Sequence, residues 1–275
     1  TSTLSIARPA LMRPTISDPA RAFEAFGVRF AVKAPVDDET LRAYLPPASR
    51  RVRQRSDDRI FAVVPTGVAR YDVFDGPTPS GLGQLLPAAL STVAADLRRT
   101  LAEQSPALLF VHAGVVGLAG RAVVLPGRSE AGKSSLVAAL VQAGTEYLSD
   151  EYAPLDVHGL AHPYPQDIRL RVDGDSVAVA PRQLGGSTAV GLVPVGAIVV
   201  TSFYRPSTRW RRRSATAAEG AILLLQHAPA ARVRPDHALA AVAAATRDAI
   251  VLVGRRGDAA VAATSIMRKL AAAWA

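Results

Sequence analysis

Residues 127–134 read Gly-Arg-Ser-Glu-Ala-Gly-Lys-Ser and match the phosphate-binding pattern G-x-x-x-x-G-K-[ST]. A short apolar run of the buried-strand type, 121–126, precedes them, and a helical pattern, 134–143, follows with Gly144 as its C-cap. The loop is therefore predicted to end at a helix N-terminus, where free backbone N–H groups and the helix dipole attract phosphate. In this pattern Lys133 contacts the β- and γ-phosphates and Ser134 binds Mg²⁺.

The predicted nucleotide-binding residues are those of the loop and the first helical turn. They are Gly127, Arg128, Ser129, Glu130, Ala131, Gly132, Lys133, Ser134 and Ser135. A Gly-rich turn with an exposed lysine is the alternative, but the order strand, loop, helix favours a nucleotide site. ATP and Mg²⁺ are the cofactors that this pattern predicts.

Two neighbouring carboxylates follow the next predicted strand. Phosphoryl transfer needs a group that orients or deprotonates the acceptor, and we predict Asp150 as that general base. Glu151 is predicted as a metal ligand together with Ser134, or as a supporting group. Because neighbouring strand residues point to opposite faces, both carboxylates face the site only if the strand has already turned. A surface acidic pair before a turn is the alternative.

These motifs carry a family resemblance. The run Val111-His112-Ala-Gly-Val-Val, then the phosphate loop, then Tyr147-Leu-Ser-Asp150-Glu resembles the catalytic domain of HPr kinase/phosphorylase, the bacterial serine kinase. The resemblance covers residues 108–156 and implies a fold shared with ATP-dependent phosphoenolpyruvate carboxykinase. It also implies that Asp150 is the catalytic aspartate, His112 an active-site histidine and Lys133 a catalytic phosphate-binding residue. From the pattern alone, a histidine on a buried strand is more often a core residue.

The chain departs from that family in two places. The family's later Glu-x-Arg-Gly-x-Gly signature has no counterpart, which leaves phosphorolysis and HPr itself as the acceptor open. The N-terminal part also differs from the family's usual N-terminal domain. The resemblance is greater to the divergent members of bacterial biosynthetic clusters, some of which phosphorylate a serine of a ribosomally made precursor peptide such as a lasso peptide.

Arg169 and Arg171 are the candidate substrate residues. They lie two apart on a predicted extended segment, so they share one face and can bind an anionic group together. Solvated strand arginines are the alternative.

The remaining pattern predicts an α/β protein with two unequal domains. A small α+β domain, residues 1–105, is predicted from strands at 26–33, 59–64 and 69–74, a helix at 37–44 and a long amphipathic helix at 83–105. A mixed-sheet catalytic domain, residues 106–275, is predicted from strands at 108–118, 121–125, 195–203 and 250–253 and helices at 215–227, 235–245 and 258–274. We expect the first domain to contribute to substrate recognition.

A net charge of +9 predicts anionic partners. The arginines cluster at Arg50, Arg51, Arg53 and Arg55 and again at Arg205, Arg209, Arg211, Arg212 and Arg213. Aromatic content of 5% and the lack of a nucleic-acid-binding motif argue against nucleic acid, so a nucleotide and a peptide or protein substrate are the predicted partners. No apolar run approaches the ~20 residues of a membrane span, and no cysteine is present. We therefore expect a cytoplasmic protein, and the resemblance implies a homo-oligomer.

The sequence thus predicts an ATP- and Mg²⁺-dependent kinase acting on a hydroxyl, with a serine of a peptide or protein as the favoured acceptor. A kinase of a small-molecule alcohol, a carboxykinase and a non-catalytic nucleotide-binding regulatory module remain as alternatives. The presence of Asp150 argues against the last of these, whereas the lack of the family's later signature argues for it.

Overall fold

The computed structural model describes residues 19–127, 132–172, 175–207 and 209–275. The chain divides into two compact units. Among the described residues, the N-terminal unit comprises 19–24 and 29–97, and the C-terminal unit comprises 25–28 and those from Arg98 onwards. The division falls within a helix that ends at Gln104. The predicted domain boundary between residues 105 and 106 stays a prediction.

The N-terminal unit contains a six-stranded sheet in the order β3-β1-β2-β4-β5-β6. Its elements are β1 (Arg21–Ala25), β2 (Val28–Lys33), α1 (Asp38–Arg42), β3 (Arg50–Arg51), β4 (Arg59–Gly67), β5 (Arg70–Asp75), β6 (Thr78–Gln84) and the start of α2 (Leu86–Gln104). Phe30, Phe61 and Val73 are fully buried in it. The strands and helices predicted from hydrophobic pattern and Pro/Gly punctuation are confirmed, whereas β1, β3 and β6 were not predicted.

The C-terminal unit contains an eight-stranded mixed sheet, in the order β11-β10-β7-β8-β14-β16-β15, with β9 paired to β7. Its first elements are β7 (Leu109–Leu118), β8 (Arg121–Pro126), α3 (Lys133–Gln142), β9 (Glu146–Ser149), β10 (Tyr152–Leu155), β11 (Leu160–Ala161), β12 (Ile168–Val172) and β13 (Asp175–Val179). There follow a 3₁₀ helix (Pro181–Leu184), β14 (Val193–Phe203), β15 (Arg211–Ala215), α4 (Ala217–Leu225), a second 3₁₀ helix (Pro229–Arg232), α5 (Pro235–Thr246), β16 (Ile250–Arg256) and α6 (Ala259–Trp274).

Helices cover both faces of this sheet. Along β14, Ile198 packs in a core cluster with α4 and α5, whereas Ala197 and Val199 pack in a second cluster with α3 and α6. This alternation is the two-residue period of a strand that is buried on both sides. Leu136 of α3 and Ile266 of α6 are almost fully buried, and burial of such a side chain contributes roughly 1.5–3 kcal/mol. The predicted α/β fold class is therefore confirmed.

Strand direction brings several chain segments to one edge of the sheet. β8 and β14 run parallel, as do β14 and β16, so the carboxyl ends of all three lie at the same edge. β9 also runs in the direction of β8, because both are antiparallel to β7. In the sheet, β7 lies between β8 and β9. The end of β9 nevertheless reaches the edge where β8 ends.

The arginine-rich segment 211–213 forms an edge strand that the sequence did not predict. Arg211, Arg212 and Arg213 belong to β15, which pairs only with β16 in the sheet order. Charged side chains on an edge strand oppose pairing with a second chain. In the part of the chain that the structure describes, no helix combines the length and the apolar character that crossing a membrane requires.

Candidate active site

The predicted phosphate loop connects β8 to α3. Gly127 follows β8 and Gly132 is the N-cap of α3, with a positive φ of 77°. A Cβ on Gly132 would collide with the guanidinium of Arg256, so both the backbone conformation and the space require glycine. The intervening predicted residues, Arg128, Ser129, Glu130 and Ala131, lie outside the described residues. The strand and the helix on either side of the loop are confirmed.

The side chain of Lys133 reaches back to the start of the loop. Its Nζ donates a hydrogen bond to the Gly127 carbonyl at 2.8 Å and lies 3.1 Å from Nδ1 of His112. Burial is the main cause that lowers the pKa of Lys133, opposed by the charges of Asp150 and Glu151. A lysine at this position can give its charge to a phosphate group bound at the helix N-terminus.

His112 lies on β7 next to the loop, as the resemblance implied. Its backbone N–H donates to the carbonyl of His227 at 2.8 Å, and its carbonyl accepts from the N–H of Gly127 at 3.4 Å. The ring Nδ1 lies 3.0 Å from the Gly127 carbonyl. Burial and then the charge of Lys133 lower the pKa of His112, which favours the neutral ring near neutral pH.

A buried serine shapes the turn that carries the two carboxylates. β9 ends at Ser149 and β10 begins at Tyr152. The Ser149 hydroxyl is fully buried and accepts from the backbone N–H groups of Glu151 at 3.3 Å and Tyr152 at 3.2 Å. Because the strand has ended, Asp150 and Glu151 are released from strand alternation, and both line the same cavity.

Asp150 is a buried carboxylate with an unusual proton affinity. Burial raises its pKa from 3.8 to about 6, against the opposing effects of a hydrogen bond from the Ser134 side chain and the charge of Lys133. Its Oδ1 is buried and has no hydrogen-bond partner among the described residues. A buried polar atom without a partner costs free energy, so this oxygen is suited to a proton, a metal ion or a ligand donor.

Glu151 is engaged in an ion pair. Its Oε1 lies 3.1 Å from Nε of Arg98 on α2. The side chains are 36% and 20% exposed, so solvent only partly screens the interaction. The predicted metal role of Glu151 therefore requires that the carboxylate leave this arginine or share it.

A cavity of about 460 Å³ brings most of the predicted site together. Predicted residues that line it are Gly132, Lys133, Ser134, Ser135, His112, Asp150, Glu151, Arg169 and Arg171. Arg169 and Arg171 lie on the exposed face of β12, while Ile168 and Leu170, which alternate with them, pack on the core. The shared face of the two arginines is confirmed, and their substrate role stays a prediction.

Sequence reasoning missed three residues that build this site. Arg98 lies in the predicted amphipathic helix at 83–105 and was given no role, yet it lines the cavity and pairs with Glu151. Ser149 was unremarkable, although a serine before two acidic residues is a usual start of a hydroxyl-capped turn. Arg256 is 2% exposed and donates from Nη2 to the Gly132 carbonyl at 2.5 Å. It lies 124 residues from its partner, so no local pattern identifies it.

Comparisons with known proteins add little to this geometry. No family model matches the chain, and no curated protein matches it. A solved structure of the Hpr(Ser) kinase/phosphatase from Coxiella burnetii aligns with 54% of this chain and 85% of its own, at 14% sequence identity and a TM-score of 0.31. A TM-score of this size does not establish a common fold.

Proposed function

We propose that this protein is an ATP- and Mg²⁺-dependent kinase that transfers phosphate to a hydroxyl group, with a serine of a peptide or protein as the acceptor. The observation that carries the proposal is the position of Asp150. Its buried carboxylate lines one cavity with Lys133 and Ser134, has an oxygen without a partner, and has a pKa raised to about 6. A group of this proton affinity is ionised at neutral pH and basic enough to accept a proton.

The donor side of the site is supplied by the loop and the start of α3. The N-terminal N–H groups of α3 and its dipole favour a polyphosphate, and Lys133 adds a positive charge. Ser134 and Ser135 line the cavity at the first turn of the helix. These features support a nucleoside triphosphate as donor.

The oxygen groups near the loop fit a magnesium ion. The Ser134 hydroxyl, which lies in hydrogen-bond contact with the general base Asp150, is an oxygen donor of the kind that Mg²⁺ prefers. Bound Mg²⁺ would neutralise charge on the phosphates. Glu151 is a further candidate ligand, once separated from Arg98. Within the described ranges, no cluster of three or more His, Asp or Glu side chains forms an all-protein metal site, and magnesium held by few protein ligands and a nucleotide does not need one.

The proposed reaction is a direct displacement. The acceptor oxygen forms a bond to the γ-phosphorus, the bond between that phosphorus and the bridging oxygen breaks, and ADP leaves with the bond electrons. Asp150 takes the proton of the acceptor hydroxyl. His112 and the Gly127 carbonyl hold the lysine ammonium at the entrance of the loop, so His112 acts through Lys133 in this scheme.

The acceptor side of the cavity is rich in arginine. Arg98, Arg169 and Arg171 line the same cavity as Asp150 and the loop residues. Arginine binds carboxylates through its planar fork of donors, so an acceptor with acidic residues near its hydroxyl is favoured over a neutral alcohol. The resemblance to kinases of precursor peptides supports the same class of acceptor.

We also propose that residues 1–105 contribute to recognition of the acceptor. Two arginines of the predicted basic cluster are already paired, Arg50 with Glu24 at 2.8 Å and Arg51 with Asp38 at 3.0 Å. Arg53 and Arg55, which line a common pocket with Arg29, are the better candidates for contact with an anionic peptide.

Transfer of the labelled γ-phosphate from ATP to a library of serine, threonine and tyrosine peptides tests this proposal. We expect transfer to serine peptides with acidic neighbours, and its loss in Lys133→Ala. Asp248→Asn is a matched control, since Asp248 is exposed beside the amino end of β16, at the opposite edge of the sheet. Nucleotide binding without transfer to any peptide would favour the non-catalytic module, and transfer to small alcohols alone would favour the small-molecule kinase.

A further inference from the structure

Two exposed aromatic side chains lie at the sheet edge that carries the phosphate loop. Phe203 is 57% exposed and Tyr204 is 50% exposed, and they are the exposed large aromatics in the part of the chain that the structure describes. Phe203 ends β14, which runs parallel to β8, and β8 leads into the loop. In open α/β sheets, ligands bind outside the carboxyl ends of the strands. An exposed ring at this edge is therefore well placed to contact a bound ligand.

The two rings lie on opposite faces of the sheet. The Arg256 guanidinium lies over the ring of Phe203 at 5.8 Å, and that of Arg255 lies over Tyr204 at 5.7 Å. Arg255 and Arg256 are consecutive in β16, so their side chains point to opposite faces. Arg256 is the one that reaches the loop, through its hydrogen bond to the Gly132 carbonyl. Phe203 thus shares the face of α3 and the loop, and Tyr204 does not.

A single side chain, that of Arg256, connects the loop to Phe203. Nη2 of Arg256 is 2.5 Å from the Gly132 oxygen, and Cζ of the same guanidinium is 5.8 Å from the Phe203 ring centroid. Arg256 is 2% exposed and so is fixed in place, whereas more than half of Phe203 remains accessible. A nucleotide whose phosphates bind at the N-terminus of α3 has its base within reach of this ring.

We propose that Phe203 is the surface on which the base of the bound nucleotide stacks, with Arg256 supporting the ring from the loop side. This inference rests on the proposed function, because it assumes a nucleoside phosphate at the loop. Stacking on an aromatic ring recognises the flat face of any base, and an arginine against the ring adds a favourable cation–π interaction. The phosphate donor is accordingly a nucleoside triphosphate and not an inorganic polyphosphate. The site should discriminate little between different bases.

Calorimetric titration of the full chain with ATP and with inorganic tripolyphosphate tests this assignment. Phe203→Ala is expected to weaken ATP about tenfold, the size of one base–aromatic stack, and to leave tripolyphosphate unchanged. Phe203→Trp should retain ATP affinity and Phe203→Leu should lose it, because leucine keeps apolar bulk without a π-face. Tyr204→Ala is the matched control and should bind both ligands as the wild type does.

The outcomes separate this inference from the proposed function. ATP binding that is unchanged in Phe203→Ala, or lost equally in Tyr204→Ala, would overturn the stacking assignment and leave the kinase proposal intact. Equal loss of ATP and tripolyphosphate in Phe203→Ala would also overturn it, since Phe203 would then act on the loop through Arg256. A wild-type protein that binds neither ligand would overturn both.

Discussion

The ammonium of Lys133 lies 3.1 Å from Nδ1 of His112, two groups that are both cationic when protonated. Burial, and then the neighbouring charge of Lys133, lower the pKa of His112 in the folded protein. The unfolded chain then binds a proton more readily than the folded chain just below the ordinary pKa of 6.5, so this pair should make the fold less stable as the pH falls through that region.

His112→Asn should remove this acid sensitivity while keeping a polar atom beside the lysine. Melting temperatures of wild type and variant are measured from pH 8 to pH 5. As the pH falls, the melting temperature of the variant should rise relative to that of the wild type. A difference that is independent of pH would show that His112 does not titrate in this range.

Asp150 should oppose stability at neutral pH. Its folded pKa of about 6 lies above the ordinary 3.8, so the folded chain binds the proton first and this contribution makes the fold more stable as the pH falls from about 6 to 4. The rise corresponds to a penalty of roughly 3 kcal/mol for the ionised form. Asp150→Asn should therefore raise the free energy of unfolding at pH 8, and the gain should vanish below pH 4. Denaturant titration at the two pH values measures it, and a destabilised variant at pH 8 would contradict the burial argument.

Arg256 should position the loop. Its guanidinium donates to the Gly132 carbonyl from a buried site, and a hydrogen bond from a charged group contributes about 1.5–3 kcal/mol. Arg256→Lys lacks the planar fork and should weaken ATP and tripolyphosphate alike, by roughly ten- to a hundredfold. Titration with both ligands measures this, with the melting temperature as a check on folding. A variant with weaker affinity for ATP and unchanged affinity for tripolyphosphate would instead show that Arg256 acts on the base.

Arg171 should contribute to acceptor binding. Arg171→Glu places a carboxylate in the cavity and should raise the KM for an acidic serine peptide at least several-fold while the KM for ATP changes little. Arg247→Glu is the matched control, because Arg247 is exposed beside the amino end of β16. A raised KM for ATP with an unchanged KM for the peptide would show that Arg171 contributes to nucleotide binding instead.

Local patterns predicted the parts of the site that depend on neighbours in sequence. The strand before the loop and the helix after it follow from hydrophobic period and residue type within a few positions, whereas the turn at Asp150 was only a condition for both carboxylates to face the site. The partners of these residues come from distant segments. Arg98 on α2 forms an ion pair with Glu151, and Arg256 on β16 donates a hydrogen bond to Gly132. These contacts depend on the tertiary fold, including the order and direction of the strands. Such contacts leave no periodic signal in a single sequence.

The edge strand β15 was missed for a related reason. Three consecutive arginines have no strand-like alternation of apolar residues, and the strand is held by backbone pairing with β16 instead. The same segment supplied much of the predicted basic cluster. Arg213 is paired with Glu219 and Arg212 lies over Trp210 at 5.1 Å, so part of its charge is used within the fold.

The central claim is that Asp150 accepts the proton of a hydroxyl during phosphate transfer. The rate of γ-phosphate transfer to an acidic serine peptide, compared between wild type and Asp150→Asn at saturating ATP and Mg²⁺, tests it most directly. We expect the rate in the variant to be lower by roughly a hundredfold to ten-thousandfold, with ATP affinity retained and the same Mg²⁺ concentration at half-maximal rate. Transfer at the wild-type rate would contradict the claim, and activity restored by higher Mg²⁺ would make Asp150 a metal ligand instead.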